Sequence, residues 1–353
     1  MKRTIGKSLC MHILCAILVM FFVSGTVLLL NPGQVMAEKA ITLKVAHFIK
    51  EVHPMCRGLK WWGDEVTKRT GGKVQFKYFW ASSLAGPPQL YDAIRTGLAD
   101  MGPILPVLHA AKTPIFTIGA MPGMPTNKFL NAVWAAHQLG KTDAAQAEVK
   151  RNGFHFLYGN GHSGDFIFSS KQIKRLEDLN KMRISSFGPF GAAFKIWGSD
   201  VTWLGVAETY EGLKRGVVDG ANKPLVAGIT EALYEVAPYV MLPQIGINVT
   251  AVTVMREKTW NKMSPDIQKV MNEVSEEMSY KLAELFDKFD PIFIKQMKGK
   301  GMTFTSLPEG DVSKMRQSVK GIWNKWAADM DKKGLPGTEL KDKFYNWCAE
   351  GPK

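Results

Sequence analysis

The chain is short of cysteine and of acid. Its 353 residues hold four cysteines, two of which, Cys10 and Cys15, fall in the first stretch. Cys56 and Cys348 remain, with no CxxC pair and no Cys/His spacing suited to zinc. In an exported protein that pair forms one disulfide, tying the first helix to the C-terminus, or stays as two thiols. Lys and Arg number 45 against 32 Asp and Glu, a formal net charge of +13. Three of those charges lie in residues 1–37, which leaves +10 beyond them. A nucleic-acid partner would call for a basic tract or interleaved aromatics, and neither is present. The surplus reads as a basic surface.

Catalytic signatures are missing too. There is no P-loop, nucleophile elbow or HExxH. His47, His53, His109, His155 and His162 are dispersed, without the i,i+4 spacing of metal ligands. One G-x-G-x-x-G exists, GNGHSG at 159–164, after the strand-like FHFLY. The next residues, DFIFSSK, are strand-like as well, where a dinucleotide fold needs a helix N-terminus. These absences argue against an enzyme and against a cofactor.

Only one long apolar run occurs, Ser8 to Leu30. Lys2, Arg3 and Lys7 precede it. Asn31-Pro32-Gly33 and Val35-Met36-Ala37 come after it. This is the layout of a signal peptide over 1–37, although the run is also long enough for an uncleaved anchor. About 310 residues remain, enough for two lobes with cores of their own.

Those residues alternate strand and helix patterns. ITLKVAHF (41–48) reads as a strand. A helix opens at Pro54, carries Leu59, Trp62 and Val66, and ends at Gly71-Gly72. KVQFKYF (73–79) is a strand, Pro87-Pro88 opens a helix, and LADMGPIL is a buried strand. The same grammar returns in KMRIS (181–185), GPFGAAFKIWG, DVTWL (200–204), AETYEGLKRG and VVDGANKP. YDAIRTGLADMG (91–102) and YEGLKRGVVDGA (210–221) are nearly one phrase: a helix, a Gly cap at Gly97 or Gly216, then a buried strand ending in Asp100 or Asp219. Each half of an α/β protein uses it once. Later, AVTVMRE is a strand, Ser264-Pro265 opens a long helix with an apolar face to Phe289, and PIFIKQMKGKGMTFTSLP reads as helix then strand. SKMRQSVKGIWNKWAADM closes as one amphipathic helix.

With ITLKVAHFIKEVHP, TKRTGGKVQFKYFWASSLAG, YDAIRTGLADMG, LEDLNKMRI, ETYEGLKRGVVDGANKP and MSPDIQKVMNEV in this order, the chain resembles the DctP-like solute-binding subunit of TRAP transporters. The resemblance implies a two-lobed α/β periplasmic binding protein, type II-like, with hinge strands near 160–165 and 246–253. It implies a long helix across both lobes, here 265–289. Lobe I is then 38–162 plus about 251–289, and lobe II is 163–250 plus about 290–353 with the C-terminal helices. The implied role is a periplasmic receptor that closes on a small organic acid and delivers it to the small and large membrane permease subunits. The resemblance implies binding without chemistry, cofactor or nucleic acid; a periplasmic enzyme on the same two-lobed scaffold is the alternative.

In that family an Arg in a K-hydrophobic-R motif clamps the ligand carboxylate, as a planar guanidinium suits. Counted back from Gly198 it is Arg183; counted forward from LEDL it is Ser185. A second Arg, frequent in the strand before LEDL, is replaced near Asp165. An acid there repels a second carboxylate and accepts from hydroxyl, amine or ammonium groups, so a monocarboxylate with polar or cationic decoration, or an apolar tail, is expected. Pro87 and Leu105 stand at first-lobe positions that are often acidic in the family. Phe48, Trp80, His162, Phe187, Asn222 and Lys223 complete the candidate pocket.

Overall fold

The structure, a computed structural model, describes residues 40–242 and 246–353. The leader expected over 1–37 lies outside the described residues, and among those residues no helix is long and apolar enough to cross a membrane.

Two sheets organise the chain. The first contains β1 Ile41–Ala46, β2 Val74–Phe79, β3 Met101–Ile104, β4 Phe154–His162 and β10 Asn248–Arg256, in the order β2-β1-β3-β10-β4. The second contains β5 Asp165–Ser169, β6 Arg183–Ser185, β7 Asp200–Thr202, β8 Gly220–Pro224, β9 Tyr239–Met241 and β11 Thr303–Thr305, in the order β11-β9-β5-β8-β6-β7. β1 is parallel to β2 and β3, and β6 is parallel to β7 and β8. The orders β2-β1-β3 and β7-β6-β8 are the same arrangement built twice.

Helices fill the crossovers. α1 (Pro54–Arg69) is capped by His53, whose side chain accepts from the Met55 N–H, with Pro54 in the first turn as the sequence predicts. α2 (Pro87–Thr96) ends at Gly97 in the left-handed region, φ 91°. α3 (Phe129–Gly140) and α4 (Asp143–Arg151) complete the first half. In the second half α5 (Gly188–Ile196) and α6 (Val206–Lys214) occupy the places of α1 and α2.

The doubled phrase has one structural job. Asp100 accepts the Lys44 N–H on its carboxylate at 2.8 Å and gives its own N–H to the Lys44 carbonyl. Asp219 does the same with Arg183, at 2.9 Å and 2.7 Å. Each Asp thus pins the first strand of its half to the third, and Lys44 and Arg183 are counterparts.

The long helix, α7 (Pro265–Gly299), has 35 residues and spans about 52 Å at 1.5 Å per residue. It continues through Pro291, where the sequence pattern suggested a break and a new helix. Its first half packs Ile267, Met271, Val274, Met278 and Leu282 on the first sheet's core, and Met297 joins the core under Phe168. Anchored in both cores, it tolerates a proline whose missing N–H leaves the Asp287 carbonyl without its helical partner.

The C-terminal helices depart from the expected lobe division. α8 (Glu309–Ser318) lies in the second half, where Val312 and Met315 join Ile184 and Phe194. α9 (Lys320–Asp331) and α10 (Gly337–Glu350) return to the first half: Trp323, Trp326, Phe344 and Cys348 belong to its core. Trp323 Nε1 donates to the Pro122 carbonyl at 2.7 Å, and Trp326 Nε1 donates to Thr117 Oγ1 at 2.8 Å. The chain therefore crosses between halves a fourth time near Val319, and α9 and α10 pack in the first half. Cys56 and Cys348 are both buried and unpaired.

Candidate functional site

Strand direction decides where the site is. β10 is antiparallel to both β3 and β4, so β4 ends at the edge where β1, β2 and β3 end. β5 is antiparallel to β8, so β5 starts where β8 ends. Only Ser163 and Gly164 separate β4 from β5. The carboxyl ends of the parallel strands in both sheets therefore meet at this crossing, the place where open α/β sheets bind ligands.

On the first sheet, β1 runs out into His47 and Phe48, and β2 into Trp80. The loop after Trp80 is bent back by Ala81 and Ser82, both at positive φ, 53° and 60°. Non-glycine residues there cost about 1 kcal/mol or more each and persist where the surroundings hold them. Ala81 N–H bonds the Ile49 carbonyl, and Ser82 N–H bonds the His47 carbonyl. The result is a stacked set: Tyr78 on Trp80 at 4.9 Å, His47 on Phe48 at 5.1 Å.

On the second sheet, β6 runs out through Ser185 and Ser186 to Phe187, and β7 to Trp203. Phe187 is 44 % exposed and Trp203 58 %, with ring centroids 6.1 Å apart. Phe48 and Phe187 each stand two residues past the first strand of their half. Trp80 and Trp203 each stand one residue past the second. The two halves thus carry equivalent Phe/Trp pairs on the edges that meet.

At the crossing lies a polar cluster. Asp165, the first residue of β5, is 8 % exposed. It accepts from Asn248 Nδ2 at 2.6 Å, the Asn222 amide is a further donor, and His162 Nε2 lies 3.5 Å from Oδ1. Burial pushes its carboxyl up, opposed by His162, Asn248 and Asn222. His162 Nδ1 sits 3.0 Å from the Gly164 carbonyl, which only accepts, so Nδ1 holds a proton. Asn222 Nδ2 also reaches Ser186 Oγ at 3.4 Å. At the crossing itself Ser163 donates to Asp290 on α7. Burial, with Asp287 adding to it, pushes the Asp290 carboxyl up to about 6.

Asp165, His162 and Asn222 lie together at the crossing, while Phe48 and Trp80 stand at the strand ends of the first sheet and Phe187 at that of the second. Two expectations fail. Arg183 begins β6, at the far end from the crossing. Its Nε and Nη2 are held by the Asp219 carboxylate at 3.1 Å and 3.0 Å. Ser185, the other register, is at the near end, and its Oγ accepts the Leu204 N–H at 3.1 Å. Lys223 alternates to the opposite face of β8 from Asn222, and its ammonium pairs with Glu231 at 3.2 Å. Sequence reasoning missed Asn248, Ser186, Asp290 and Trp203. For Trp203 the signal was present, since an aromatic ends the second strand of both copies.

The first four residues of GNGHSG end β4, and Gly159 and Gly161 serve packing. A Cβ on Gly161 would lie 2.3 Å from the Asn248 carbonyl, and one on Gly159 2.7 Å from the backbone of α3. Among the described residues no group of three or more His, Cys, Asp or Glu is placed to hold a metal ion.

Known proteins share this fold. A TRAP solute-binding protein of Rhodoferax ferrireducens, solved with copurified benzoate, superposes with a TM-score of 0.78 at 21% identity, covering 88% of this chain and 98% of that one. A marine metagenome TRAP solute-binding protein specific for aromatic acid ligands, solved with 3-hydroxybenzoate, gives 0.79 at 21% identity, covering 89% and 100%. The 2,3-diketo-L-gulonate-binding periplasmic protein YiaO of Escherichia coli is 24% identical over 248 residues, 69% of this chain and 74% of that one. The DctP family, bacterial extracellular solute-binding protein family 7, matches residues 45–329, and with two sheets meeting at their strand ends and that span matched, the chain belongs to it.

Proposed function

We propose that the chain is the periplasmic receptor of a TRAP transporter, and that it binds a small organic acid with an apolar or aromatic body. What supports this is the equivalent placement of aromatics at the strand ends of both halves, Phe48 and Trp80 packed on His47 in one and Phe187 beside Trp203 in the other, with the hydrogen-bonded Asp165 cluster at the crossing between the sheets. A flat ring between them would exchange exposed aromatic surface for buried contact as the lobes close, which favours the closed state by differential affinity. The likeness to proteins that hold benzoate and 3-hydroxybenzoate supports an aromatic or ring-shaped acid.

The carboxylate has a seat that needs no guanidinium. Ser186 and Asn222 border the N-terminus of α5, whose cap residue Phe187 supplies no side-chain acceptor for the first-turn amides. Amides at a helix start, with the helix dipole behind them, suit an anion. The receptor acts by binding alone, and its delivery partners are the membrane permease subunits. Export through the N-terminal leader fits the family's extracellular setting.

The test is to denature the purified protein and identify what it releases by mass spectrometry, then confirm by thermal shift. A ring-bearing carboxylate that raises Tm on re-addition is the expected outcome. A neutral sugar or a peptide that does so would sink the reading.

A further inference from the structure

Asp165 ties together both interlobe crossings and the second sheet. Its N–H bonds the Gly246 carbonyl at 2.7 Å, on the segment that returns to β10. Its Oδ2 accepts from Asn248 of β10, and Asn222 of β8 donates to the same carboxyl. Oδ1 has His162 Nε2 at 3.5 Å, too long for a good hydrogen bond. A carboxylate offers about four lone-pair positions, so Oδ1 keeps acceptor capacity inside a largely dry site.

The charges around it are those of an acid-lined floor. His162 is the titratable neighbour of Asp165. The cations further out are matched to other acids: Arg183 to Asp219, and Lys223 to Glu231, which also feels Lys50. Asp290, with Asp287 beside it, stands behind Ser163, two residues from Asp165. A carboxylate placed against Asp165 would meet like charge in low dielectric, where repulsion is least screened. A hydroxyl or N–H placed there would make a charge-assisted hydrogen bond.

We infer that Asp165, positioned by His162, Asn222 and Asn248, is the specificity-determining residue of the cleft. It selects acids that present a hydroxyl or N–H donor at the end remote from their carboxylate, and it rejects dicarboxylates. This rests on the organic-acid reading above and adds to it an orientation: carboxylate toward Ser186 and α5, donor toward Asp165.

Matched acids test it by titration calorimetry: benzoate with 3-hydroxybenzoate, phenylacetate with 3-hydroxyphenylacetate, cyclohexanecarboxylate with 4-hydroxycyclohexanecarboxylate, and glutarate as the dicarboxylate. For the wild type, the donor-bearing member of the pair that binds is expected to bind at least tenfold tighter, with glutarate silent. Asp165→Asn keeps the shape and removes the charge, and is expected to bring the ratio within threefold. A purely structural Asp165 would weaken both members of a pair equally, and that result overturns the inference. Equal affinity of both members for the wild type overturns it without any variant, so a misfolded Asp165→Asn leaves the inference decidable. If none of the seven acids binds the wild type, the organic-acid reading falls and takes the inference with it.

Discussion

Arg183 and Asp219 form a two-pronged pair, Nε to Oδ2 at 3.1 Å and Nη2 to Oδ1 at 3.0 Å, while the same carboxylate takes the Arg183 backbone N–H at 2.9 Å. Lys44 and Asp100 repeat the backbone part of this contact in the other half, and Lys44 Nζ donates to the Gly97 carbonyl. Both basic residues thus brace a strand–helix junction. Arg183→Ala is expected to leave ligand affinity within about twofold. Asp219→Ala strands a strand-edge N–H and costs about 1–3 kcal/mol in a urea melt. Loss of binding in Arg183→Ala would return the guanidinium to the site.

The aromatic pairs give a sharper separation of binding from stability. Trp203 is largely exposed in the free protein, so Trp203→Ala should leave Tm nearly unchanged. Burying a ring of that size is worth about 1.5–3 kcal/mol, so affinity for the co-purified ligand should fall about tenfold to a hundredfold. Unchanged affinity, measured by calorimetry, would remove this wall from the site.

Much of this was legible in the sequence, because the doubled phrase carries spacing as well as composition. Helix starts at Pro54, Pro87 and Pro265 and the turn glycines Gly97 and Gly216 arise from local chemistry that tertiary packing does not override. Arg183 misled because a basic residue in a short strand satisfies two demands equally well, gripping a ligand or bracing Asp219, and only strand direction separates them. Trp323 and Trp326 sit in a segment that reads as an amphipathic helix, but nothing local says which core a helix joins. Asn248 was invisible because its role comes from pairing opposite His162, 86 positions earlier in the chain, through a sheet register that no local pattern states.

Gly161 should not tolerate a side chain. Its Cβ would meet the Asn248 carbonyl at 2.3 Å and the Val249 Cα at 2.5 Å, both backbone atoms. Gly161→Ala is expected to cost about 1–3 kcal/mol by overpacking and to weaken binding as well, since Asn248 holds Asp165. A chemical melt within about 0.5 kcal/mol of wild type would show that β4 and β10 have room to part.

Glu148 gives a pH signature unconnected with the ligand. Burial pushes its carboxyl up to about 7, against the pull of the Ile115 and Phe116 amides, from about 4.5 when unfolded. Between those values the folded state binds more protons than the unfolded state, so stability falls as pH rises from about 4.5 to 7 and then levels. The change is at most about 3 kcal/mol. Glu148→Gln keeps an acceptor for the Ile115 N–H at Oε2 and should flatten that slope. A wild-type melt that rises across the same window would contradict the burial of this charge.

Cys56 and Cys348 should both resist thiol reagent in the folded protein and react after unfolding without reductant, since both are buried and free. A thiol count of zero in denaturant would mean a disulfide.

A crystal structure of the protein with its co-purified compound bound puts the account to its most direct test. The ring should lie between Phe48–Trp80 and Phe187–Trp203, its carboxylate beside Ser186 and the start of α5, with Arg183 still on Asp219. Density for the compound against Arg183, or anywhere away from the edge where the two sheets meet, would contradict it.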